Sequence, residues 1–300
     1  MSVLVVGTVA FDTIKTPFGK YERVMGGSAS YFSVSASFFE PSVRLVAVVG
    51  KDFPQKYVKV LKQKGIDTRG LEVADGKTFF WEGEYGWDFS NPRTIATHLN
   101  VLADFDPKVP KEYKNTEHVF LANVDPDIQL KVLKQVKNPR LVACDTMNYW
   151  IESKRKSLLK LLKKVDIFLL NEPEARQLTG ETSLVKAAKA IFKLGPKKIV
   201  LKKGEHGCLL FSGGSIFSIP AYLLESVFDP TGAGDTFAGG FMGYLASCKT
   251  LNEKALRRAV VYGSVMATFT VEDFSLKRLA SIKKRDITRR FKKFRKLTHF

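Results

Sequence analysis

The sequence predicts an α/β fold: a doubly wound, mostly parallel sheet flanked by helices, with a small β-lid. Three observations lead there. Short apolar runs alternate with helix-length stretches along most of the chain, as strands do when crossover helices cover both faces of a parallel sheet. Residues 71–102 interrupt that rhythm with a cluster of aromatics. The length, 300 residues, suits one large α/β domain or two smaller ones, and no linker or internal repeat divides it.

The elements follow in order. Residues 3–6 form an apolar run ending at Gly7, a buried strand. Residues 28–39 read as a helix after Gly26-Gly27. Residues 45–49 read as a second strand, and 53–64 as an amphipathic helix. Strand-like runs recur at 119–122, 141–144, 166–170 and 199–201, with helices expected at 127–136, 152–163, 174–178 and 183–194. Within 71–102, Phe79, Phe80, Trp81, Tyr85, Trp87 and Phe89 fit no helical period. They predict a few antiparallel strands standing off the main sheet, either a surface hairpin with cross-strand aromatic pairs or a cover for a ligand or a partner subunit. Residues 208–211 and 216–219 flank Ser212-Gly213-Gly214-Ser215, a hairpin signal. Helices are expected at 234–247, 252–271 and 275–297, the last of them broken.

Composition narrows the function. Hydrophobic residues are 45% and charged residues 26%, a globular balance. The longest apolar runs are far short of the ~20 residues that span a bilayer, and the first residues lack the basic region of a signal peptide. The cysteines at 144, 208 and 248 form no metal or disulfide spacing, which predicts a reduced, cytoplasmic setting. The net charge is +18, with nine basic residues against Asp286 alone in 283–300. Such a balance attracts phosphate-bearing partners without saying which. In the tail, Ile287, Phe291 and Phe294 share one helical face. A docked helix over 283–297 with a solvated cationic face is therefore favoured over a nucleic-acid or membrane contact.

The chemistry concentrates in Asp229-Pro230-Thr231-Gly232-Ala233-Gly234-Asp235-Thr236-Phe237-Ala238-Gly239-Gly240-Phe241. A glycine-rich turn that opens a helix presents backbone N–H groups at the positive end of the helix dipole, a ready anion site. Asp235 adds a carboxylate that repels a phosphate, so its natural use is to accept a proton from an attacking hydroxyl. No Gly-Lys-Ser/Thr follows, so this is not a Walker A loop.

This segment closely resembles the C-terminal signature of the ribokinase-like (PfkB-type) carbohydrate kinases. Residues 24–32, Val-Met-Gly-Gly-Ser-Ala-Ser-Tyr-Phe, resemble their N-terminal signature. The resemblance covers about residues 1–280, and within the family the chain is most similar to a bacterial sugar-kinase type. It implies one kinase domain over 1–300, with a lid formed by about 10–24 and 77–100. It also implies an ATP-dependent kinase phosphorylating a hydroxyl of a small sugar or sugar-like acceptor, with a nucleoside as the alternative acceptor. A basic nucleic-acid-binding protein on a kinase scaffold is the reading from a different class.

Carried over residue by residue, the resemblance gives Asp235 as catalytic base and Gly232, Ala233 and Gly234 as the anion hole. Asn171 and Glu174 match an Asn-x-x-Glu motif that organises Mg²⁺, water and phosphate; a helix cap with Pro173 in the first turn explains the same spacing. Lys202, Gly204, Gly207 and Thr231 match ATP and phosphate contacts. Asp12, Gly26, Gly27 and Asn148 match acceptor contacts, although Asp12 reads equally well as a turn residue. Tyr31 stands where many members carry an asparagine that contacts the sugar, which argues against a ribose-like ring pose. Asp229 and Thr231 match half of a monovalent-cation site. The other half, 268–274, contains no glycine, which leaves K⁺ open. Family members often close their lids in homodimers, so a lid-mediated dimer is expected, with no membrane partner.

Overall fold

The computed structural model describes residues 1–89 and 92–299. The first half contains β1 (Val3–Val6), β2 (Ala10–Thr16), β3 (Gly19–Gly26), α1 (Ser28–Ala36), β4 (Val43–Gly50), α2 (Gln55–Gln63), β5 (Ile66–Ala74), β6 (Phe80–Glu84) and β7 (Arg93–His98). Then follow β8 (His118–Leu121), α3 (Pro126–Gln135), β9 (Leu141–Cys144), α4 (Asn148–Ser153), α5 (Arg155–Leu162), β10 (Ile167–Asn171), α6 (Glu172–Thr179) and α7 (Leu184–Phe192). The chain ends with β11 (Lys198–Lys202), β12 (Cys208–Ser212), β13 (Ser215–Ile219), α8 (Ala233–Ala246), α9 (Glu253–Thr270), α10 (Lys277–Ser281) and α11 (Lys284–Leu297).

Nine strands form the main sheet in the order β13-β12-β11-β10-β9-β8-β1-β4-β5. Every pair from β11 to β5 is parallel; β12 and β13 add an antiparallel edge. Successive side chains of one strand enter opposite cores, as the period of two requires. Val3 and Val5 pack with Phe32, Phe241 and Val260 on one face. Leu4 and Val6 pack with Ile128, Leu162 and Ile191 on the other. Burial on both faces explains why these strands read as unbroken apolar runs.

Two expectations about local structure change. The helix expected over 152–163 is two helices, because Lys154 leaves helical geometry at φ −125°, ψ 28°. Residues 71–74 do not stand off the sheet; they end β5, which runs parallel to β4.

The second sheet has the order β3-β2-β6-β7. β2–β3 and β6–β7 are antiparallel hairpins, joined by a parallel β2–β6 pairing. It therefore draws on both 10–24 and 77–100, of which residues 90 and 91 lie outside the described residues. The six aromatics of 79–89 divide among different environments. Phe79 and Phe80 pack against the two main cores, Tyr85 is buried with Ile14 and Phe274, and Trp87 is 79% exposed.

The tail forms α11, which packs against α9. Ile287 and Phe294 are buried, Phe291 stacks on Tyr262 at 4.4 Å, and the Arg290 guanidinium lies 3.7 Å from the Phe269 ring centroid. Arg290 also pairs with Glu272 at 2.6 Å. Arg285, Arg289, Lys292, Lys293 and Lys296 line an open groove on the outer face of α11. Among the described residues no helix is long and apolar enough to cross a membrane.

Candidate active site

The C-terminal ends of β1, β8, β9, β10 and β11 share one edge of the sheet, where ligands of open parallel sheets bind. Asp145 follows β9, Asn171 ends β10 and Lys202 ends β11. Asn171 and Lys202 are register partners.

The turn 229–232 enters this edge from the far end of the chain. Gly232 is the N-cap of α8 at φ 74°, a conformation that only glycine adopts freely. A Cβ on Gly232 would also collide with the Tyr31 ring, which lies against the turn. Ala233, Gly234 and Asp235 open α8, whose first-turn N–H groups lack intrahelical partners. Of these, Ala233 N donates to Pro230 O at 3.1 Å. A Cβ at Gly234 would lie 2.9 Å from Lys202 Nζ, so the ammonium is held over the turn.

Asp235, Glu174 and Asp145 feel the charge of that ammonium, and Asp12 feels the charge of Asp235. Burial pushes Asp235 up to about 6, and the Lys202 charge restrains the rise. Burial likewise moves Glu174 to about 6, opposed by Lys202 and by the Asn171 N–H. Asp145 is raised well above the carboxylate range by burial and by the charge of Asp235. Asp12 is raised to about 8 by burial, then by Asp229 and Asp235. Perturbed carboxylates gathered at a sheet's ligand-binding edge are a functional signature.

Asn171 and Glu174 form a complete capping box. Glu174 N donates to Asn171 Oδ1, and Asn171 N donates to Glu174 Oε2, each at 2.8 Å. The capping and metal readings are compatible, since the box engages one Glu174 oxygen and leaves the other. Asp145 Oδ1 and Thr146 Oγ1 are buried without a hydrogen-bond partner. This donor set fits a Mg²⁺ that keeps its waters and takes few protein ligands. It does not form an all-protein cage, since among the described residues no group of three or more His, Cys, Asp or Glu could hold a metal.

Near the start of α1, Asp12 lies against Gly26: a Cβ on Gly26 would collide with its carboxylate. Gly27 has φ 92° and caps α1, with the Thr8 carbonyl where its Cβ would be. Thr8 and Ser28 tie this corner together through Thr8 N to Ser28 Oγ at 3.1 Å and Ser28 N to Thr8 Oγ1 at 2.9 Å. Asp229 is fully buried and accepts from Thr231 N at 2.8 Å and Ser275 N at 3.2 Å.

Three predicted residues stand apart from this cluster. Asn148 is exposed and uses its side-chain oxygen on Tyr149 N at 2.9 Å. Gly204 and Gly207 belong to the turn after β11; Gly207 is needed there because a side chain would strike the Ile219 carbonyl.

Sequence reasoning gives Asp145 and Asn123 no role, and Tyr85 none of its own. Asp145 and Asn123 immediately follow apolar strands, a signal available in the sequence. Asn123 Oδ1 accepts from Trp150 Nε1 at 2.9 Å, and its carbonyl accepts from Ser28 Oγ at 3.0 Å. Tyr85 carries no sequence signal that separates it from its aromatic neighbours.

A doubly wound sheet, an anion turn on a buried helix, a nearby carboxylate and a lid define a phosphotransferase class. The family described as "pfkB family carbohydrate kinase" matches residues 2–279, and the chain belongs to that family. It is therefore an ATP-dependent kinase whose acceptor group is an alcohol. The chain is 31% identical over 257 residues to a cytidine kinase of Thermococcus kodakarensis, covering 84% of this chain and 91% of that protein. It is 24% identical over 258 residues to a nucleoside kinase of Methanocaldococcus jannaschii, covering 83% and 80%. The crystal structure of a putative ribokinase II from E. coli in complex with ATP and Mg²⁺ shares the fold at TM-score 0.80 and 17% identity, over 97% of this chain and 99% of that one.

Proposed function

We propose that this kinase phosphorylates a hydroxyl of a nucleoside, with Asp235 as the base. The observation that carries the chemistry is Asp235 in the first turn of α8 with the Lys202 ammonium held against Gly234. Asp235 accepts the acceptor hydroxyl's proton as the oxygen attacks the γ-phosphorus, whose bond to the β,γ-bridging oxygen breaks to release ADP. The N–H groups of the 232–234 turn and Lys202 meet the charge on the transferred group. Such positioning and charge stabilisation supply most of the catalysis in phosphoryl transfer. Glu174 and Asp145 would hold hydrated Mg²⁺, which neutralises phosphate charge when bound. Asp12 and the Gly26-Gly27 corner receive the acceptor, and Tyr31 supports the turn from α1.

The nucleoside reading draws on the 31%-identical relative named cytidine kinase and on the aromatic lid; because the Tyr31 ring lies against Gly232, it requires the sugar ring to be held without the contact that an asparagine at position 31 would give. A free sugar is the second reading, favoured by the family description. K⁺ has weak support, because Asp229 already binds the backbone of Thr231 and Ser275. A lid-mediated homodimer is supported by Trp87, 79% exposed, and Phe18, 51% exposed, which meet at 6.0 Å. The free thiols accord with a cytoplasmic setting. A panel of nucleosides and free sugars, followed as ADP release and phosphorylated product, tests the assignment. Turnover of pentoses or hexoses with none of any nucleoside would overturn it.

A further inference from the structure

We propose that the Tyr85 hydroxyl latches the lid onto the anion turn, making lid closure part of assembling the site. The inference rests on the kinase reading above. Tyr85 directly follows β6, and its backbone N–H donates to Lys15 O of β2 at 2.8 Å, which fixes it in the lid sheet. Its hydroxyl receives a hydrogen bond from Thr231 Oγ1 at 3.2 Å.

Thr231 is the residue before Gly232, and its own N–H is held by Asp229 Oδ1 at 2.8 Å. The other Asp229 oxygen accepts from Ser275 N at 3.2 Å. Ser275 Oγ in turn donates to Met25 O at 2.5 Å, and Met25 lies in β3, next to Gly26. A chain of hydrogen bonds thus runs from one lid strand, through the anion turn, to the base of another lid strand. Tyr31 closes the other side of the turn by lying against Gly232.

The residue type supports a role for the hydroxyl. Tyr85 sits with Ile14 and Phe274 in a small apolar cluster, where phenylalanine would pack as well. Burying a phenol in such a cluster is unfavourable unless its hydroxyl is hydrogen-bonded. Tyr85 acts on the reaction through Thr231, so it is a positioning residue.

Tyr85→Phe keeps the ring and removes the latch. At saturating ATP and acceptor, kcat should fall about three- to tenfold, the worth of one net hydrogen bond. The ratio of ADP formed to acceptor phosphorylated should rise above its wild-type value, because a loosened lid admits water to the γ-phosphate. Thr231→Val should raise the ratio similarly, Thr231→Ser should restore it, and the Tyr85→Phe/Thr231→Val double variant should add nothing further. An unchanged ratio in Tyr85→Phe, whatever happens to kcat, overturns the latch. Hydrogen exchange reads the same coupling without catalysis: amides of 80–84 and 229–232 should exchange faster together in Tyr85→Phe. Unchanged exchange at 229–232 overturns the proposal even if the wild type phosphorylates none of the acceptors tried. That absence of turnover would count separately against the nucleoside reading.

Discussion

The Lys202 ammonium occupies the space beside Gly234 so closely that a Cβ at 234 would lie 2.9 Å from Nζ. On the proposed assignment, the glycine would leave room both for a phosphate and for the lysine that meets it. Gly234→Ala should displace the ammonium and weaken ATP binding about tenfold, in line with a charge-assisted hydrogen bond. Lys202→Met should weaken it at least as much. Calorimetric titration with a non-hydrolysable ATP analogue measures both. Wild-type affinity in both variants would remove Lys202 from the nucleotide site.

Asp235 must be ionised to accept a proton, and burial raises it to about 6. Wild-type kcat/KM should therefore rise with pH through about 6 and level off above 7. Asp235→Asn should lower kcat by ~10²–10⁴-fold, the usual worth of a general base, and lose that acid limb. A variant that keeps the limb would assign it to another group, Glu174 being the first candidate at about 6.

What was legible in the sequence shared one property, contiguity. The Asp229–Phe241 segment carries turn, anion site and base within thirteen residues, and Asn171 and Glu174 are three apart, so local rules reach them. β1, β9 and β10 were visible because burial on both faces makes them apolar throughout. β5 was not recognised at 71–74, because the edge of the sheet exposes Glu72 and Val73 and mixes the pattern. Thr231 and Tyr85 are 146 positions apart, and only the fold makes them neighbours. The break at Lys154 has no local signal, because 152–157 is polar throughout and carries neither glycine nor proline.

The reciprocal cap between Asn171 and Glu174 separates a structural from a metal role for Glu174. Glutamine at this third helical position can still accept the Asn171 N–H. Below about pH 6, where the buried carboxyl is itself largely uncharged, Glu174→Gln should therefore leave the melting temperature within about 2 °C of wild type. The Mg²⁺ concentration for half-maximal activity should rise several-fold, more than the acceptor KM. An unchanged Mg²⁺ dependence would reduce Glu174 to a cap.

Asp12 makes stability depend on pH in a defined direction. Its folded-state value, about 8, lies above the ordinary 3.8 because of burial and of Asp229 and Asp235. Between those values the folded state holds a proton that the unfolded chain releases, so the group's contribution falls as pH rises from about 4 to about 8. Asp12→Asn keeps the shape and cannot ionise. Its melting temperature should match wild type near pH 4 and exceed it above pH 8, by roughly 2–4 °C per kcal/mol recovered. A difference that does not grow with pH would mean that Asp12 is not the group responsible.

The apolar and cationic faces of α11 hold it in different ways. Phe294 is 1% exposed and meets Tyr222 at 5.8 Å, with Ile287 buried two turns earlier. Phe294→Ala leaves a cavity under the helix and should destabilise the protein by about 3–4 kcal/mol, lowering the melting temperature by roughly 6–16 °C. The active-site edge is built from other elements, so acceptor KM per folded molecule should stay within twofold. Lys292→Gln with Lys293→Gln touches only the exposed side, where substitutions usually change stability by less than about 0.5 kcal/mol. A calorimetric scan of the two variants decides. A larger loss from the lysine pair than from Phe294 would show that α11 is held by its charges, through a contact that the apolar packing does not explain.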